Sequence, residues 1–399
     1  MTKEIRILGG ARTPMAEYVG TPGGGKFKDM SAIELGALAV AESLKRAKVE
    51  GSDVDHVVIG NVMQTSVDAL YGARHVGLRA GLPIEVPALT VNRLCGSGLQ
   101  SVVNAAQMML LGEAEITVAG GMENMSQAPH VIRGAREGFA LGRGQLEDLL
   151  MASLNDPFCG LFMAQTAEKL GVEYKISREE MDEYALRSTA MTLAALEGGR
   201  FKDELFDVEV KTRKGSVTVS ADDHIRPESD MAGLAKLRPA FGKDGTVTAG
   251  NASGIVDGAA ALVLGIEGSS KVEGRDVLAK VVAWDTVGVD PSIMGIGPAP
   301  AIRGVLKKTG LSIDDIDLFE INEAFAAQYI AVERELGLDR EKANVNGGAI
   351  ALGHPLGMTG TRLILTLTHE LRRRGGRYGI ASACIGGGQG IAVLIDAQV

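Results

Sequence analysis

The chain has 399 residues, with 41 Lys or Arg against 50 Asp or Glu and a formal net charge of −9. That length predicts two or three domains, and 45% hydrophobic with 23% charged residues excludes a disordered chain. No run reaches the ~20 apolar residues of a membrane helix, and the acidic balance argues against a general nucleic-acid binder while leaving room for a local basic pocket around one phosphorylated ligand.

Glycine supplies 53 residues, about twice the usual share of ~7%, as expected where backbone approaches backbone or a ligand closely. The three cysteines, Cys95, Cys159 and Cys384, are odd in number and form no Cys-x-x-Cys pair. Neither a disulfide framework nor a metal site is expected. The N-terminus enters a strand-like run without a leader pattern, which reads as a reducing, cytoplasmic compartment.

In chain order, Ile5–Leu8 reads as a strand. Ser31-Ala-Ile-Glu34 is a capping box that opens a helix with Leu35, Leu38, Ala41 and Leu44 on one face. His56–Ile59 and Val91–Leu94 read as strands, Gly96 onward as a buried helix, and Ile116–Ala119 as a strand. Strands alternating with helices predict a mainly parallel sheet. From Met122 to Thr248 the pattern turns helical and polar, and Ser177-Arg-Glu-Glu180 is a second capping box whose helix ends at Gly198-Gly199. The last third repeats the first in outline. Asp315-Ile-Asp317 leads into a strand ending at Ile321, as Asp53-Val-Asp55 leads into one ending at Ile59. Val345-Asn346 precedes a glycine-rich elbow, as Val91-Asn92 does, and Tyr378–Ala383 and Ile391–Ile395 close the chain as strands. Two duplicated α/β halves with one insertion are expected.

Cys95 lies in Asn92-Arg-Leu-Cys-Gly-Ser-Gly98 at a strand-to-helix elbow. A lone cysteine is more often an inert core residue. At a helix start, however, unpaired N–H groups and the dipole lower a thiol pKa and can bind an oxyanion, so a nucleophile is favoured here. Cys384, in Cys-Ile-Gly-Gly-Gly-Gln-Gly390, reads equally as a core cysteine beside a tight turn or as a thiol among backbone N–H groups. His354, between Gly353 and Pro355 at the counterpart of the Cys95 elbow, is a base candidate. Asn322, in Asn-Glu-Ala-Phe325, reads either as a helix cap or as an amide at the ligand-binding edge of the sheet.

Taken together, Asn-Arg-Leu-Cys-Gly-Ser-Gly, Asn-Glu-Ala-Phe, Gly-Gly-Ala-Ile-Ala-Leu-Gly-His-Pro355, Cys-Ile-Gly-Gly-Gly-Gln-Gly and Asp244-Gly-Thr-Val-Thr-Ala-Gly-Asn-Ala-Ser-Gly254 resemble the thiolase family over essentially the whole chain. The resemblance implies an α/β fold of duplicated βαβαβαββ halves forming a layered αβαβα sandwich with an inserted loop domain. It divides the chain into a first half (1–121 with 249–274), a loop domain (122–248) and a second half (275–399). It also implies coenzyme A and acyl-CoA thioesters as substrates, no resident cofactor and no metal, and a homo-oligomer, dimer or tetramer. By resemblance Cys95 is the nucleophile, His354 its base, and Cys384 the second acid and base. The N–H groups of Cys95 and Gly386 form one oxyanion hole, and His354 with a water on Asn322 forms the other. Ser253 and Arg226 would contact coenzyme A, and Met163, Ala249, Ala324, Phe325 and Met294 would line its tunnel. Phe162 stands where many acetoacetyl-specific members carry His, and Val256 where Asn is frequent; the first points toward the 3-ketoacyl-CoA branch. The rivals are a biosynthetic acetyl-CoA C-acetyltransferase, a ketoacyl-carrier-protein condensing enzyme, and a non-catalytic acyl-CoA or lipid carrier.

Overall fold

The computed structural model describes residues 3–20, 24–213 and 215–399; Met1 and Thr2, where the N-terminal reading begins, lie outside them. The nine main strands are β1 (Ile5–Arg12), β2 (His56–Gly60), β3 (Ala88–Val91), β4 (Ile116–Glu123), β5 (Val256–Ile266), β6 (Ala279–Gly288), β7 (Leu318–Ile321), β8 (Tyr378–Ile385) and β9 (Gln389–Asp396). They form one sheet path in the order β7-β8-β9-β6-β1-β5-β4-β2-β3.

The path is nearly a palindrome. Strands β1 and β6 pair antiparallel at its centre, Arg6 opposite Lys280. From that pair each half runs outward through a returning strand, a strand that ends at the site, and a parallel neighbour. Following the pairings outward makes Gly60 the equivalent of Asn322 and Met122 the equivalent of Cys384. The duplication read from element order is therefore present as register.

The sheet is mixed, not mainly parallel. Only β7–β8, β2–β3 and β2–β4 run parallel. The long returning strands β5 and β9 are buried on both faces, so they have the continuous apolar run that also marks a parallel strand; strand direction cannot be read from such a run.

Helix α1 (Ala32–Ala47) begins at Ser31, whose hydroxyl accepts from the Glu34 N–H while Glu34 reaches back, as the capping box requires. The helices that position the site are α2 (Ser97–Leu110), α3 (Met163–Glu173), α4 (Arg178–Glu197), α5 (Ala326–Leu336) and α6 (Leu356–Arg374). Helices α2 and α6 are the sheet-covered pair. They cross so closely that a Cβ on Gly98 would lie 2.6 Å from Thr361 N, and one on Gly360 2.2 Å from Leu99 N. Among the described residues between Glu123 and Val256, apart from the edges of the halves, the short strands pair only with one another. This insert is fastened to β1 by Arg12, a fully buried guanidinium bonded to Glu204 at 2.7 Å and to both oxygens of Asp222 at 2.7 and 2.9 Å. Among the described residues no helix is long and apolar enough to cross a membrane.

Candidate active site

The strand β3 stops at Val91, short of the predicted Val91–Leu94. Leu94 cannot extend it because its φ of +45° lies in the left-handed region, unfavourable for a leucine. Asn92 Oδ1 accepts the Leu94 N–H at 2.9 Å, and Ser97 Oγ accepts the Arg93 N–H at 2.8 Å while donating to Leu94 O at 2.7 Å. These bonds hold the strained elbow that presents Cys95 at the start of α2. A side chain at Gly60 would collide with Ser97, 2.8 Å from its Cβ.

Cys95 keeps part of its surface open and packs beside Met63, Met125, Leu356 and Ile255. Burial pushes its thiol up to about 11; the Gly386 N–H, which faces the sulfur, pulls the other way, and the Glu123 carboxylate adds to the rise. The expectation that the helix start lowers this pKa is overturned, because desolvation outweighs the N–H groups. Cys384, at the end of β8, is fully buried among Met294, Ala324, Met163 and Phe325. Its thiol is pushed still further up, first by desolvation and then by the neighbouring charge of Cys95.

His354 is buried on the turn entering α6. Gly353 before it has φ +97°, and a Cβ there would lie 2.4 Å from Val256, so Val256 packs against the backbone just before the histidine. Thr359 Oγ1 donates to Pro355 O at 3.0 Å, which leaves it to accept from His354 Nδ1–H at 2.6 Å. The Nε2 lone pair is then free and accepts from Asn322 Nδ2 at 3.3 Å. This tautomer follows from the hydrogen-bond network. Burial, followed by the nearby Arg362 charge, lowers the His354 pKa to about 3, so the resting imidazole is neutral. Asn322 is not a helix cap: α5 begins after Phe325, and Asn322 Oδ1 is buried without a partner. Glu323 next to it accepts from Tyr184 and Ser188 of α4, both at 2.7 Å, and from the Ile350 N–H at 3.2 Å, tying the insert to the loop that carries His354.

A cavity of about 160 Å³ lies beside these groups, lined by Met125, Met151, Leu154, Phe162, Phe241 and His354 among others. Cys95, Cys384, Asn322 and Gly386 are outside its lining, with Cys95 behind Met125 and Leu356 and Cys384 behind Met163 and Phe325. Of the residues expected at the ligand, Phe162, Met163, Ser253 and Phe325 line it. Phe162 stacks on Phe241 with centroids 4.9 Å apart. Met294 and Ala324 sit deeper, against Cys384. Ala249 is exposed and outside the lining. Arg226 is exposed, bonded to Glu17 and to His224 O at 2.8 Å. Its loop reaches the site through His224, whose ring lies against Gly254, and Gly254 O accepts the His354 N–H. Sequence reasoning missed Thr359, Phe241, Met125, Met151 and Leu154. A hydroxyl one turn into the helix after His-Pro was a readable signal for Thr359; the others have no local signature.

A neutral imidazole at an apolar cavity, with two protonated thiols packed against its lining residues, suits reversible transfer of an acyl group between sulfur atoms, and fold and site together point to an acyltransferase. Models of the thiolase N-terminal and C-terminal domains match residues 5–268 and 275–397. Human mitochondrial 3-ketoacyl-CoA thiolase is 54% identical over 397 residues, 99% of each chain. The β-ketothiolase BktB of Cupriavidus necator is 47% identical over 99% of this chain and all of its own. A crystal structure of the human enzyme in complex with CoA superposes with a TM-score of 0.95 at 53% identity, covering 100% of this chain and 99% of that one. The chain belongs to the thiolase family. Its mammalian relatives are named as mitochondrial enzymes, and this overturns the cytoplasmic compartment expected from the sequence.

Proposed function

We propose that this thiolase splits 3-ketoacyl-CoA with coenzyme A into acetyl-CoA and a shortened acyl-CoA, with the following division of labour. The Cys95 proton passes to His354 Nε2, and the thiolate attacks the 3-keto carbon. The N–H groups of Cys95 and Gly386 hold the resulting oxyanion. When the C2–C3 bond breaks, its electrons form the acetyl-CoA enolate, whose oxygen is held by His354 Nε2–H and by a water on Asn322. Cys384 gives its proton to C2. Incoming coenzyme A returns a proton to Cys384 and attacks the acyl-enzyme, and Cys95 leaves as thiolate and recovers its proton from His354. The observation that carries this reading is the pair of hydrogen bonds on the His354 ring, Nδ1 to Thr359 and Nε2 to Asn322, from which the tautomer is assigned. Nε2 is an unprotonated base at the cavity, positioned from behind by Thr359 and pre-aligned by Asn322. The unpartnered Asn322 Oδ1 supports the water placed there.

The reading is tested by incubating the protein with coenzyme A and 3-ketoacyl-CoA of four, six and eight carbons. The six- and eight-carbon substrates should give acetyl-CoA and the acyl-CoA two carbons shorter in equal amounts, and the four-carbon substrate two acetyl-CoA per molecule cleaved. Turnover of the four-carbon substrate alone favours the biosynthetic acetyltransferase, and no turnover favours a carrier. We also infer a homo-oligomer. The edge strand β3 is flanked by exposed Leu70, Tyr71 and Ile84, with Ile84 73% exposed, an apolar edge that a second copy would cover. Light scattering at micromolar concentration should exceed the 41.7 kDa of one chain.

A further inference from the structure

We propose that Arg93 and Gln389 are a positioning pair that sets where the Gly386 N–H stands relative to the Cys95 sulfur. The proposal rests on the role given to Gly386 above. Cys95 belongs to the first half and Gly386 to the second, so the oxyanion hole is split between two units that must hold register. Arg93 moves with the elbow, since its N–H donates to Ser97 Oγ at 2.8 Å and its carbonyl accepts from the Gly96 N–H at 3.0 Å. Its side chain crosses to the other half. Nη1 donates to Gln389 Oε1 at 2.8 Å, while Nε is braced by Gln100 Oε1 at 2.7 Å.

Gln389 is the first residue of β9, three after Gly386, and pairs with Ile385 across the turn. The far side of the turn is already gripped. Val289 N–H donates to Gly388 O at 2.8 Å, and a Cβ on Gly297 would lie 2.2 Å from Gln389 O. On the near side the contacts are apolar: Ile385 and Ile391 press on Gly96. Apolar packing sets separation but carries little direction, whereas a guanidinium fork fixes angle as well. Among the described residues, and apart from the Gly386 N–H that itself faces the Cys95 sulfur, Arg93–Gln389 is the one side-chain hydrogen bond that joins the Gly386–Gln389 turn to the first half. It fixes the orientation of the turn, and with it the aim of the Gly386 N–H.

The test is Gln389→Met, similar in length but without the acceptor, with Gln389→Glu as the variant that keeps an oxygen there. Two readouts are taken on the full protein: single-turnover acylation by acetyl-CoA, and the pH dependence of iodoacetamide labelling of the Cys95 peptide. Gln389→Met should slow the maximal single-turnover acylation rate about tenfold, below the ~10²–10³ that outright loss of an oxyanion donor costs, with the acetyl-CoA concentration for half-maximal rate unchanged. Its labelling midpoint should move to higher pH, because the thiolate loses the same N–H. Gln389→Glu should restore both. Arg93→Lys, which cannot bridge both amide oxygens, should repeat the split. An unchanged labelling midpoint overturns the pair, whatever happens to Tm or rate. A shifted midpoint with unchanged acylation keeps the pair and instead rejects Gly386 as the oxyanion donor.

Discussion

The two halves of this thiolase share a topology and divide the chemistry unequally. At the strand ends that the register makes equivalent, the second half carries Asn322 and Cys384 and the first carries Gly60 and Met122. Gly60 is small because Ser97 of the elbow fills the space, and Met122 is core. In the mechanism proposed above, the first half contributes the nucleophile and its strained support, and the second contributes the base, the second thiol and the amide. A duplicated scaffold thus offers two copies of each position, and the site uses complementary members of the two sets.

That comparison can be broken first at the nucleophile. Cys95→Ala should abolish acylation, detected by loss of the acetyl adduct in the mass spectrum, with unchanged circular dichroism; more than a few per cent of wild-type rate would place the nucleophile in the other half. Cys384→Ser comes next. It should still accept an acetyl group from acetyl-CoA, yet lose about 10²–10⁴-fold in carbon–carbon cleavage, the usual worth of a positioned acid or base. Equal losses in both half-reactions would refute the division of labour.

A smaller effect sits in the stability. The folded His354 pKa of about 3 lies below the ordinary 6.5. Between these values the unfolded chain binds a proton that the folded one refuses, so folding stability falls as pH drops from about 6.5 toward 3. Urea titrations between pH 4 and 7 should show His354→Asn flattening that fall by up to ~1.4 kcal/mol per pH unit; identical slopes would mean that the imidazole is solvated. Gly98→Ala tests how the halves meet. Its Cβ would strike the backbone of α6, and overpacking of this kind costs about 1–3 kcal/mol, read as a lowered denaturation midpoint. Smallest is Phe162→His. The ring lines the cavity, and each acyl CH₂ against it contributes at most ~0.8 kcal/mol. The ratio of kcat/KM for six- over four-carbon substrate should therefore fall by no more than about 15-fold in the variant; no change would mean the acyl tail runs elsewhere.

Much of this was legible in the residues. Both capping boxes, at Ser31 and Ser177, form as read, because a cap is decided by four neighbouring residues. The elbow before α2 and the histidine turn before α6 fall where the motifs put them. What failed was non-local. The direction of β5 depends on partners more than a hundred residues away, β1 and β4, and a run such as Val256–Ile266 is apolar either way. The Cys95 pKa departs from its expectation for the same reason: the elbow's N–H groups are visible in sequence, but the burial that outweighs them is assembled from Met63 and Met125 of one part of the chain and Leu356 of another. Leu94 gave no warning of its left-handed backbone, since leucine does not favour it.

The central strand β1 has a consequence for how the chain is made. Its two neighbours are Val256–Ile266 and Ala279–Gly288, so about 240 residues must emerge before Ile5–Arg12 finds either partner. At ~5–20 residues per second of synthesis that is on the order of 10–50 s. For that time an apolar strand with two open edges waits on the ribosome, a substrate for chaperones rather than for β-pairing. Everything between, the insert included, is a loop whose closure must precede the middle of the sheet, a topology that folds slowly. These eight residues, made well before either partner strand, are therefore among the last to be locked.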